Sequence, residues 1–164
     1  MHHETSNAHP YTFDQVLRGE AVARISLQVG LAALAMHDVL RVPRKANGEH
    51  ENNSEHSFML SLLAPALAHE FYPDLDKGLI AQFANVHDLV EIVTGDVATF
   101  NVSSEELADK AAREHAAVQQ LLGELDPYTG SLLVRYEEQV EPEARFVRMV
   151  DKLLPLVVDI LGDG

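Results

Sequence analysis

The segment Asn85 to Val97 reads NVHDLVEIVTGDV and sets His87 beside Asp88, with Glu91 one turn later and Asp96 just past Thr94-Gly95. Imidazole nitrogens and carboxylate oxygens are ligands for divalent cations, and a nearby carboxylate can exchange protons with water at such a site. Adjacent residues of a helix point about 100° apart, so His87 and Asp88 cannot both face a core. They can straddle a metal ion lying against the shoulder of the helix, provided neighbouring helices supply further ligands. Two polar residues in otherwise apolar surroundings stand out as candidates: His56 in NNSEHSFML and Asp151 in FVRMVDKLLPLV. Asp151 is the sharper anomaly, because an unpaired carboxylate on an apolar helix face is costly. Each residue also has an ordinary reading. His56 could cap a helix, Asp151 and Lys152 could form an exposed ion pair, and Glu91 could be a solvated carboxylate. The order His, then His-Asp, then Asp on successive helices favours the joint reading.

Composition narrows the chemistry. The chain has 164 residues and no cysteine, so a disulfide framework and thiolate zinc sites are excluded and any metal must be held by His, Asp or Glu. A formal net charge of -14 opposes binding to nucleic acid or to an anionic membrane surface. The one basic cluster is Arg41-Val42-Pro43-Arg44-Lys45. The most apolar run, Ile25 to Met36, is interrupted by Ser26, Gln28 and Gly30 and falls short of the ~20 residues that span a bilayer. It reads as a core helix. The opening MHHETSNAHP has no signal-peptide pattern, and a cytoplasmic location is expected.

These residues must be positioned by helices, since no segment alternates apolar and polar residues over strand length while several show three-and-four spacing. The expected fold is all-α: a compact, single-domain bundle of about six or seven helices over residues 11–164, after a flexible tail over residues 1–10. One or two opening helices are expected over Tyr11 to Arg18 and Ala21 to Leu40, ended by Val42-Pro43, with Asn47 to Asn53 as a loop. Ser54 is the expected N-cap of a helix towards Tyr72, with Phe58, Met59, Leu62, Leu63, Ala66 and Leu67 as its core stripe. The next helix should run from about Lys77 to Val93, burying Leu79, Ile80, Phe83, Ala84, Val86 and Val90, with Gly95 past its end. Ser103 and Glu106 fit a capping box for a helix reaching about Leu125. A shorter helix is expected over Tyr128 to Gln139. A final one begins at Pro142, carries Phe146, Val147, Val150, Asp151, Leu154 and Leu156, and should kink at Pro155.

The segments RVPRKANGEHENNSEHS, VHDLVEIVTGD and VRMVDKL, which lie between Arg41 and Leu153, together resemble the HD-domain phosphohydrolases, and among them the bacterial 5'-deoxynucleotidases. The resemblance implies an HD-domain fold and His56, His87, Asp88 and Asp151 as ligands of one divalent ion, whether Mn, Co, Fe, Ni, Zn or Mg. It also implies Glu91 as the catalytic glutamate, Asp96 as the aspartate near the substrate, and Arg41 as the phosphate-side arginine. In the family that arginine precedes tryptophan and proline, whereas this chain reads Arg41-Val42-Pro43. The missing tryptophan is the residue placed there to favour 2'-deoxyribose.

The residue chemistry supports the same role. Two neutral imidazoles and two carboxylates leave a divalent ion nearly neutral, with positions open in six-coordination. Arg41, with Arg44, Lys45 and Lys152, could supply the cations an acidic protein needs to bind phosphate. His37-Asp38, a second HD dipeptide, lacks the Glu and T-G-D context and reads as structural. The expected activity is metal-dependent hydrolysis of (deoxy)ribonucleoside 5'-monophosphates. Alternatives are release of triphosphate from deoxynucleoside triphosphates and a non-catalytic, metal-stabilised interaction protein. A homodimer or other homo-oligomer is the expected assembly.

Overall fold

The computed structural model describes residues 19–45, 47–96 and 104–161. In chain order these form α1 (Glu20–Asp38), β1 (Leu40–Arg44), β2 (His50–Asn52), α2 (Asn53–Phe71), α3 (Lys77–Val86), α4 (Glu91–Thr94), α5 (Ser104–Glu124), α6 (Pro127–Glu138) and α7 (Pro142–Leu161). The architecture is all-α apart from the antiparallel β1–β2 hairpin. The expected tail, the Tyr11 to Arg18 helix and the Ser103 cap lie outside the described residues.

α2 and α3 pack along each other, α7 closes over both, and α6 lies against α3 and α7. Their shared core is Leu60 and Ala64 of α2, Ile80, Phe83 and Ala84 of α3, Leu133 of α6, and Ala144, Val147, Val150 and Leu154 of α7, all without exposed surface. α7 also touches β1, so the helix carrying Asp151 meets the elements carrying His56, His87 and Arg41. α7 runs through Pro155, and Leu156 faces out rather than into the core.

The expected core stripe of α2 is corrected by the structure. Phe58, Met59, Leu62 and Ala66 are exposed and Leu63 and Leu67 pack half-buried against the core, while the buried face is Asn53, His56, Ser57, Leu60, Ala64 and Ala68. Small and polar residues take that face because its first turns look onto the site and its later turns lie close against α3. α1 departs from expectation in the same way, for Met36 is its one buried residue and Leu27, Leu31 and Leu34 stand in solvent.

The N-cap of α2 is Asn52 rather than Ser54. Its side chain accepts from Glu55 N at 3.0 Å, and Glu55 Oε2 accepts from Asn52 N at 3.1 Å, completing a capping box. The expected loop from Asn47 to Asn53 is in part strand β2, paired through Leu40 with Asn52 and Arg44 with His50. Gly48, at φ 83°, makes the left-handed turn that joins the two strands.

Candidate metal centre

The HD dipeptide sits at a break in a helix. The expected helix from Lys77 to Val93 is instead two, because after Val86 the backbone tightens: Leu89 N bonds Val86 O at 3.1 Å, Glu91 N bonds Asp88 O at 3.0 Å and Ile92 N bonds Leu89 O at 3.1 Å. Turns of three residues bring side chains three apart into line, so Asp88 and Glu91 share one face. Gly95, at φ 71°, donates back to Glu91 O at 2.8 Å and ends the segment where an L side chain would be strained.

Four side chains from two helices and this turn meet there. His56, from α2, His87 and Asp88 offer ligand atoms that all lie within 4.8 Å of one another. From α7, Asp151 Oδ1 reaches 2.8 Å from His56 Nε2 and 3.7 Å from His87 Nε2. His87 Nδ1 lies 2.8 Å from the Ala84 carbonyl, which can only accept, so Nδ1 carries the proton and Nε2 keeps its lone pair in the neutral ring. That Nε2 lies 3.0 Å from Asp88 Oδ2 and is buried, yet makes no hydrogen bond. An orphaned buried nitrogen facing two carboxylates is what a cation ligand looks like before the cation binds. His56 Nδ1 lies 3.3 Å from the buried Glu51 carboxylate, which favours the tautomer with Nε2 turned towards Asp151.

Arg41 enters from β1. Its Nη1 lies 2.5 Å from Asp88 Oδ2 and 4.0 Å from Glu91 Oε2, and its Nε lies 3.6 Å from Glu51 Oε2. The hairpin fixes this approach, since His50 Nδ1 lies 2.8 Å from the Arg41 carbonyl and Val42 N donates to Asp96 Oδ2 at 3.3 Å. Asp96 is thereby tied to strand β1 beside Arg41 rather than to the cluster itself. The side chain of Val42 is exposed. Lys152 is exposed and makes no hydrogen bond or ion pair with the described residues. Arg44 donates to the Gly48 carbonyl and Lys45 pairs with Glu55, so both are engaged within the hairpin and at the helix cap. Two buried residues had not been singled out from the sequence: Glu51, and Asn53, whose Nδ2 donates to Glu91 Oε2 at 2.8 Å. The capping pattern around Asn52 and Glu55 was the available signal that this stretch is ordered.

Charge explains the protonation of the cluster. The carboxylates of Glu51, Asp88 and Glu91 lie within 4.0 Å of the Arg41 guanidinium, and the charge of Asp151 acts on it from the far side of the histidines. Burial alone would lower the pKa of His87, but the Asp88 carboxylate and the contact with Asp151 outweigh it and raise the ring to about 10. His56 is raised as well, against its burial, by Asp151 and Glu51. Burial would push the Asp151 carboxyl up, yet the hydrogen bond with His56 and the nearby His87 ring hold it well below the usual carboxylate range. At neutral pH the His87 ring therefore carries a proton that a cation must displace to reach its lone pair. Titrating Mn²⁺ into the metal-free protein at pH 7 in buffers of different ionisation enthalpy should reveal proton release, and the affinity should rise with pH. An observed enthalpy independent of the buffer would contradict this protonation state.

A family model described as HD domain matches residues 35–164. The chain is 32% identical over 107 residues to 5'-deoxynucleotidase HDDC2 of Danio rerio, covering 63% of this chain and 51% of that protein. It is 30% identical over 104 residues to 5'-deoxynucleotidase HDDC2 of Homo sapiens, covering 62% and 50%. It thus spans about half the length of these curated relatives. Among solved structures, a predicted metal-dependent phosphohydrolase from Magnetospirillum magnetotacticum MS-1 superposes with a TM-score of 0.70 at 27% identity, covering 86% of this chain and 73% of that one.

Proposed function

Because the chain belongs to the HD domain family, we propose that it is a metal-dependent phosphohydrolase that converts (deoxy)ribonucleoside 5'-monophosphates to nucleoside and phosphate. The observation that carries the reading is the convergence of His56, His87, Asp88 and Asp151 around the orphaned His87 Nε2, with Arg41 and Glu91 at its edge. The printed names of the relatives supply the nucleotide class. His56, His87, Asp88 and Asp151 would hold one divalent ion. When bound, such an ion supplies Lewis acidity towards the phosphoryl group and an acidified water at neutral pH.

The chain's own residues do the rest. Arg41, always charged, donates from its guanidinium to the phosphate oxygens once Asp88 is engaged in ligation. Glu91 takes the proton of the attacking water on a carboxylate oxygen and delivers it to the departing 5'-oxygen, so that water and phosphomonoester become alcohol and phosphate. Asp96, bonded to Val42 N, fixes the strand that carries Arg41 against this face. Lys152 remains a candidate for the outer phosphate environment, supported by its place next to Asp151. A homodimer belongs to the same reading and is supported by the exposed Leu27, Leu31 and Leu34 of α1. Light scattering would test it.

The triphosphate reading needs cations for a longer phosphate chain. Arg44 and Lys45, which would be the natural donors, are bound to Gly48 and Glu55. The monophosphate reading is therefore preferred. Phosphate and triphosphate release should be screened over nucleotides with Mn²⁺, Co²⁺ and Mg²⁺, and triphosphate release without monophosphate turnover would overturn it.

The same screen reads the sugar. Val42 is too small to press a planar wall against C2', and removing a wall creates no hydrogen bond that favours ribose. Deoxyribonucleotides and ribonucleotides should differ by only about 1–3 kcal/mol in kcat/KM, the range an apolar or steric pocket supplies. A preference of about 10⁴-fold for dAMP over AMP would show that a polar group elsewhere reads the 2'-position.

A further inference from the structure

We propose that Asn53 is a positioning residue that keeps the Arg41 guanidinium and the Glu91 carboxylate apart and aimed at the cluster, a role that rests on the phosphohydrolase reading. Asn53 is the first residue of α2 and has no exposed surface. Its Nδ2 donates to Glu91 Oε2 at 2.8 Å, and its Oδ1 accepts from Arg41 Nη1 at 3.5 Å. No other hydrogen bond reaches the Glu91 carboxylate among the described residues.

The spacing matters because of what the two charged groups would otherwise do. Arg41 Nη1 and Glu91 Oε2 are 4.0 Å apart, with 12% and 18% of their side chains exposed. Opposite charges at that separation and with so little water attract strongly. A closed Arg41–Glu91 pair would spend the phosphate-binding cation and the proton acceptor on each other. The amide offers each group a neutral partner of the right polarity, a donor for the carboxylate and an acceptor for the guanidinium. The sequence position follows from the cap: Asn52 takes the N-cap duty, which frees Asn53 at the next position to turn its amide into the site. An aspartate there would repel Glu91 and compete for Arg41. A leucine would leave Glu91 with no partner except Arg41.

The test uses the full, Mn²⁺-loaded chain with dAMP as substrate and inorganic phosphate as a separate calorimetric probe. Asn53→Leu should keep its metal, lose about 10²-fold in kcat, as a mispositioned group does, and show a higher KM. It should also bind inorganic phosphate more weakly, because Arg41 is drawn to Glu91. In Asn53→Leu/Glu91→Gln the neutral amide no longer holds Arg41. Phosphate affinity should then return to the value of Glu91→Gln alone, and the leucine substitution should cost little further kcat. Undiminished phosphate affinity in Asn53→Leu, or the same fold-loss in kcat with and without Glu91, would overturn the proposal and leave Asn53 a packing residue. Asn53→Asp keeps the volume but cannot donate to Glu91, so it carries the test if the leucine variant does not fold. Parental kcat and phosphate affinity in Asn53→Asp would overturn the proposal equally. If Glu91→Gln alone turns over at the parental rate, the catalytic reading fails instead, and the phosphate-affinity arm still decides whether Asn53 holds Arg41 and Glu91 apart.

Discussion

Asp151→Ala should purify without its divalent ion and hydrolyse nucleotide no faster than buffer. Asp151 is the one carboxylate that α7 delivers to the cluster, and its Oδ1 lies within 2.8 Å of His56 Nε2 and 3.7 Å of His87 Nε2. Removing it subtracts a ligand and leaves two buried imidazoles, 1% exposed, without the anion that stands between them. The loss in metal affinity should exceed the ~10–100-fold that removal of an outer-shell partner causes, because a direct donor is lost. Asp88→Ala should behave alike, with the further consequence that Arg41 loses its shortest ion pair. Metal analysis of the purified proteins checks both variants, and undiminished metal in the two of them would sink the ligand assignment. The metal-bound parent should melt above the metal-free parent, since binding to the folded state alone adds stability. In the Asp151→Ala protein that difference should disappear.

The chemistry of the site was more legible in the sequence than the surfaces that carry it. His56, His87, Asp88, Asp151, Glu91 and Arg41 draw attention because a buried polar residue needs a reason, and the structure brings these six to one place. The later helices were legible through prolines and periodicity, as at Pro142, where the last one begins. The hairpin was not, because its alternation is inverted: Arg41 and Pro43 face inward while Leu40 and Val42 stand 61% and 65% exposed. A rule that seeks apolar residues inside cannot see a strand whose inward residue is a guanidinium held by carboxylates. The first half of the α2 stripe failed for the same reason, since the inward turn is given to Asn53, His56 and Ser57 while Phe58, Met59 and Leu62 are turned out. The break after Val86 was hidden because residues 87–90 keep the composition of a helix, and it is the change from four-residue to three-residue bonding that sets Asp88 in line with Glu91. Function thus overrode local patterning wherever the fold had to turn polar groups inward.

Glu91→Gln should retain the metal and lose about 10²–10⁴-fold in kcat, the usual contribution of a positioned acid–base group. Glu91 makes no ligand contact with the cluster. Its carboxylate is instead held between the Asn53 amide at 2.8 Å and the Arg41 guanidinium at 4.0 Å. Burial, and after it the negative charge of Asp88, push its carboxyl up to about 7, against the pull of Asn53 and Arg41. A base poised near neutrality combines a large ionised fraction with useful proton affinity. The direction of the pH dependence follows: only the ionised carboxylate accepts a proton, so kcat/KM should fall as pH drops through the Glu91 titration. A cation held by Asp88 and Asp151 favours the ionised form and moves that limb to lower pH. Glutamine has nearly the same shape and can still face Asn53 and Arg41, but it takes up no proton in this range, so the acid limb assigned to Glu91 should flatten as the rate falls. Turnover at the parental rate would mean that proton transfer runs through water alone. Loss of metal in this variant would move Glu91 from proton transfer into the ligand set, and the roles assigned across the Asp88–Glu91 face would have to be exchanged.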